Sequence, residues 1–131
     1  MANYSSNHMK NCAIMEDFSS VSSEKNYQIV IDRRFVKAVG QLEPAVLLAF
    51  IITQDTVLGK YKTAGEAFSD PKWFLLRYDD ITDAIGLSRK RIRRFMKMIL
   101  DTGVVETKRM GCPARNHYRI NRALWYQRFC S

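Results

Sequence analysis

Hydrophobic positions change their spacing several times along this chain, and each change predicts a different element. From Met1 to Lys25, single apolar residues lie among Ser and Asn with no sustained period. This predicts a flexible N-terminal arm over 1–25 and a folded domain over 26–131. Tyr27-Gln28-Ile29-Val30-Ile31 is rich in β-formers and predicts a short strand or extended segment ending at Asp32. A short helix is expected from Arg33 to Val39, closed by Gly40. Pro44 suits a first helical position, and Val46, Leu47, Phe50 and Ile51 continue at helical spacing to about Val57. Leu48, Ala49 and Ile52 make this helix apolar nearly all round, so it belongs in a core or is shared between core and a subunit interface. Residues 59–71 read as a polar loop with at most one helical turn, and Trp73-Phe74-Leu75-Leu76 as a small strand.

The pattern then tightens. Ile81, Ala84 and Ile85 form an i, i+3, i+4 face on a helix that starts near Asp79 or Asp80, where carboxylates favour the positive end of the helix dipole. Gly86 supplies the sharp exit, Leu87 plugs the turn into the core and Ser88 is an N-cap for a second helix, Arg89 to about Asp101. On that helix Ile92, Phe95, Met96, Ile99 and Leu100 share one face, and Lys90, Arg93, Arg94 and Lys97 fall opposite, with Arg89 and Arg91 flanking the start. After Thr102-Gly103, Val104–Arg109 and His117–Asn121 read as paired strands around a tip with Gly111 and Pro113. Tyr118 and Ile120 should face the core, leaving His117 on the surface. The tail from Arg122 to Phe129 is amphipathic, with Leu124, Trp125 and Phe129 expected to pack on the domain or build a dimer contact.

Charge sharpens the picture. The chain carries a formal +8, and Gly86 to Arg122 alone holds eleven Lys and Arg against Asp101 and Glu106, a net +9 that leaves −1 for everything else. A solvated helix face usually interleaves Glu or Asp at i±4 for pairing, yet none occurs between Ser88 and Leu100. Cations confined to one helix and the following hairpin predict a polyanion-binding surface. Arg can bridge guanine O6 and N7, and Lys acts mainly as a point charge on phosphate. The expected contact set is Ser88, Arg89, Lys90, Arg91, Arg93, Arg94 and Lys97 on the second helix, with Lys108, Arg109, Arg115, Asn116, His117 and Arg119 on the hairpin.

Other chemistry is thinly represented. Cys12, Cys112 and Cys130 are odd in number and widely spaced, against a disulfide framework or zinc site. No secretory h-region or long apolar run is evident, so a cytoplasmic setting without membrane insertion is expected. His8 and His117 are far apart, and no phosphate loop, HExxH or Gly-x-Ser-x-Gly occurs, so no enzyme, cofactor or metal is expected. Asp79, Asp80 and Asp83 could in principle hold Mg²⁺ but read more simply as a helix start.

The segments Trp73–Ile81, Ile85–Arg94, the Leu100–Glu106 junction and Gly111–Asn121 resemble the winged helix-turn-helix DNA-binding proteins of phages, plasmids and integrated elements, many of them replication initiators or replisome organisers. The resemblance covers about Ile29 to Asn121 and is most particular at the wing, Gly-x-Pro-Ala-Arg-Asn ending in Tyr-x-Ile-Asn. It implies an α+β fold, with a C-terminal two-stranded β wing and an extra N-terminal strand and helix, that binds double-stranded DNA. Transcription regulation and replication or maintenance of a mobile element are both expected roles. The alternative is a winged-helix interaction module for an acidic protein partner. A homodimer would use the 44–57 helix or the 122–129 tail.

Overall fold

The computed structural model describes residues 28–130, so the expected 1–25 arm lies outside the described residues. Helix α1, Arg33–Val39, starts where Asp32 accepts from the Arg34 N–H at 2.8 Å and stops at Gly40 in the left-handed region. Helix α2, Leu42–Gly59, follows, then α3, Ala64–Ser69, capped by Thr63. Strand β1, Phe74–Leu75, leads into α4, Tyr78–Ile85, and α5, Arg89–Asp101. Strands β2, Val105–Met110, and β3, Arg115–Ile120, form a hairpin before α6, Arg122–Trp125, and a wider terminal turn, Tyr126–Cys130. The architecture is mixed α+β with a three-stranded antiparallel sheet in the order β1-β3-β2.

Helix α2 is the axis of the core. It packs on α1, α4, α5 and the sheet, and from Pro44 to Ile52 only Val46 is less than fully buried. It has the length and mean hydropathy, 1.4, of a membrane-crossing helix, but 56% of that stretch is buried inside the domain and Asp55 sits in it fully buried. The middle of the helix, Ala45 and Leu47–Ile52, is thus buried within this chain. Leu42 and Leu58, at its two ends, stay exposed. The tail also turns inward: Trp125 is fully buried, its ring 5.1 Å from Phe35 and 4.9 Å from Phe129.

Two expectations are corrected. The β-prone segment before Asp32 has no ladder partner among the described residues, and Val30 and Ile31 are 43% and 42% exposed. β-Propensity makes a strand only where an edge is offered. The edge beside β3 is taken by β1 instead, through Phe74 opposite Tyr118 and Leu75 opposite His117. The second correction is at the hairpin tip, which is shorter than Met110–Asn116 because Met110 pairs with Arg115 and Arg109 with Asn116.

Candidate nucleic-acid interface

Three residues, Gly86 to Ser88, join α4 to α5. Gly86 has φ +76° and donates to Thr82 O at 2.9 Å; the Thr82 hydroxyl donates to Leu87 O at 2.7 Å; Ser88 accepts from the Arg91 N–H at 3.3 Å. A Cβ at Gly86 would meet nothing within 4 Å, so Gly86→Ala carries only the left-handed backbone cost. That is roughly 1–2 kcal/mol. Urea unfolding of the variant should show a lower midpoint at unchanged slope; an unaltered midpoint would mean the turn relaxes freely.

Beyond this turn α5 divides as its spacing predicts. Ile92, Phe95, Met96 and Ile99 are buried against the core, and Lys90, Arg93, Arg94 and Lys97 are exposed. These four cations have no carboxylate partner among the described residues. The Arg94 guanidinium lies 4.9 Å from the Phe95 ring centroid. The flanking arginines are engaged: Arg89 with Asp79 at 2.7 Å and Arg91 with Glu43 at 3.1 Å. Both pairs are more than half exposed, where an ion pair holds by only about 0–1 kcal/mol and exchanges readily for another anion.

The hairpin has two faces rather than one basic edge, because successive strand side chains alternate. Thr107, Arg109 and Asn116 share the face of Tyr118, and Glu106, Lys108, His117 and Arg119 share the other. Arg119 is held by Glu106 at 2.8 Å and stacks at 4.4 Å on the Trp73 ring. It fastens the hairpin to the segment before β1, and is the least available of the thirteen expected contacts. Lys108, Arg109, Arg115 and Asn116 are exposed, and the half-buried His117 places Nδ1 3.0 Å from Arg115 O. Burial and the neighbouring Tyr78 push the Tyr118 phenol up to about 12, partly offset by a hydrogen bond from Asn116. Tyr118 is thus neutral at the base of the hairpin.

Sequence reasoning missed two features. Arg77, just ahead of α4, joins Arg89, Arg109 and Arg115 around one concavity between α4 and the hairpin. It stands outside the helical pattern, so no spacing points to it. Arg122, counted with the basic segment, is fully buried and pairs with Asp55 at 2.5 Å. A signal for that pair existed: Asp55 follows Ile51 and Ile52 by four and three residues, on the buried side of the helix, and a carboxylate there requires a buried partner. Among the described residues no group of three or more His, Cys, Asp or Glu is placed to hold a metal ion.

Compared with known proteins, the chain matches no protein-family model, no curated protein and no solved structure.

Proposed function

We propose that this protein is a non-enzymatic double-stranded DNA-binding protein of winged-helix type, with α5 as the helix that enters the major groove and the β2–β3 hairpin as the wing. The observation that carries the reading is the exposed face of Lys90, Arg93, Arg94 and Lys97, which lacks acidic partners among the described residues. A solvated face without a ligand would gain by pairing these charges; leaving them open on a rigid, half-buried helix keeps them for an external anion. Thirteen residues make α5 about 20 Å long, and Lys90 to Lys97 span roughly 10 Å of it, about three base-pair steps of duplex. The order helix, Gly turn, helix, hairpin also supports a winged helix, with β1 as the third strand. The biological setting that fits is transcription regulation or the replication or maintenance of a mobile element.

Selection from a random duplex library at near-physiological salt tests the reading. Recovered fragments are expected, and log affinity should fall with log salt by about 0.9 per phosphate neutralised. A palindromic consensus would mean a sequence-specific dimer. Binding without consensus would mean phosphate-dominated contact. Recovery of no DNA, with an acidic protein retained instead, would overturn the proposal.

A further inference from the structure

The concavity between α4 and the hairpin is strongly basic. It is an open hollow of about 360 Å³ lined by Arg77, Arg89, Arg109 and Arg115, which come from three separate elements and the segment before α4. Strand alternation puts Arg109 and Asn116 on the face of Tyr118, and Arg115, on the other face, reaches the hollow from the hairpin tip. The Arg109 guanidinium donates to Ala114 O at 3.3 Å, and this fixes it across the hairpin tip. Four guanidinium groups around one hollow repel one another unless an anion is present. The acid lining it is Asp79, already bonded to Arg89 at 2.7 Å.

We propose that this cleft seats one phosphodiester of the duplex backbone, and that Asp79 is a resident stand-in anion which the phosphate displaces from Arg89. The inference rests on the DNA-binding reading above. A tetrahedral phosphate suits several forked donors at once, whereas Asp79 engages Arg89 in an exposed bridge that holds by only about 0–1 kcal/mol. Arg89 is also the first residue of α5, so a phosphate held here sets how far α5 advances into the groove. The seat differs in kind from the Lys90–Lys97 face: it fixes register and is indifferent to sequence, and its own carboxylate weakens binding to stray polyanions.

Affinity for a bound duplex is measured across a salt series for the wild type, Arg77→Gln/Arg115→Gln, Asp79→Asn and Arg93→Gln/Arg94→Gln. Arg77 and Arg115 are exposed and Arg77 makes no side-chain cap bond, so the first variant should unfold at the wild-type temperature. Its salt slope should shrink by about 0.9, with affinity lost alike for every sequence. Asp79→Asn should bind about 2- to 5-fold tighter. An unchanged slope in Arg77→Gln/Arg115→Gln, while Arg93→Gln/Arg94→Gln loses binding, would overturn the seat and leave the DNA-binding reading standing. Failure of the wild type to bind any duplex would remove both. Inorganic pyrophosphate supplies the remaining arm. If it shifts the Asn116 side-chain NMR signals while the duplex slope ignores Arg77 and Arg115, the cleft takes a small phosphate ligand and the duplex assignment is overturned.

Discussion

Replacing Arg93 and Arg94 together with glutamine should cost the protein most of its affinity for duplex DNA while leaving its fold intact. Both side chains are exposed on α5 and neither pairs with a carboxylate among the described residues; the one contact made by their charges is that of Arg94 with the ring of its neighbour Phe95, so little of the domain's stability depends on them. A well-placed Arg contact to a base is worth about 1–3 kcal/mol, so losing two amounts to roughly 30-fold to 10⁴-fold. The expected result is that loss in equilibrium binding, with thermal unfolding unchanged. If one of the two reads a guanine, the single variants should also differ in the sequences they select. Wild-type affinity in the double variant would move the interface off α5 and count against the winged-helix reading as a whole.

The largest effect on stability is expected at Arg122. Its guanidinium and the Asp55 carboxylate are both fully buried, joined at 2.5 Å. The Tyr61 hydroxyl donates to Asp55 Oδ1 at 3.1 Å and accepts from the Lys72 N–H at 2.8 Å, so α2, the following loop and α6 meet at this network. Burial, and secondarily the Asp55 charge, push the Tyr61 phenol up to about 12, so Tyr61 remains a donor throughout the useful pH range. Removing one partner of a buried pair leaves an uncompensated charge and typically costs about 3–5 kcal/mol, a large part of the roughly 5–15 kcal/mol that holds a domain folded. Arg122→Met should therefore lower the urea midpoint steeply. Asp55→Leu/Arg122→Met should recover much of the loss, because two well-packed apolar side chains need no counter-charge. Equal stability of the wild type and Arg122→Met would show that the pair contributes nothing.

The same site sets a pH dependence. Burial raises the Asp55 carboxyl above its ordinary 3.8, opposed by Arg122 and by the Tyr61 hydrogen bond. Without Arg122 the main opposing influence is gone and the shift grows. A raised folded-state pKa means the folded protein keeps a proton that the unfolded chain has already released. Stability from that proton is complete below 3.8 and is lost as pH rises through the folded value. Arg122→Met should thus be most defective at neutral pH and recover on acidification towards pH 4. A deficit independent of pH would assign the loss to packing alone.

Much of the fold is legible in the chain because local rules and burial agree there. Gly40 and Gly86 end helices, Ser88 starts one, and the period of Ile92, Phe95, Met96 and Ile99 names the buried face of α5 without reference to anything else. The misreadings fall where a distant partner decides. Whether the segment before Asp32 or Phe74–Leu75 joins the sheet depends on which one reaches the edge of β3. Strand pairing also divides the hairpin cations, sending Arg109 into the cleft and Arg119 onto Trp73 and Glu106.

What the sequence determined by itself is most of the helices, the hairpin and the location of the charge. Helical period, turn residues and the net +9 between Gly86 and Arg122 are properties of neighbours along the chain. What only the tertiary structure decided is which of those cations remain available. Arg122 is withdrawn into the core by Asp55, Arg119 is spent on holding the hairpin, and Arg77 is recruited from outside the pattern. The physical reason is that a charge acts through its surroundings over a few ångströms. Those surroundings are assembled from residues tens of positions apart, where no local spacing can foretell them.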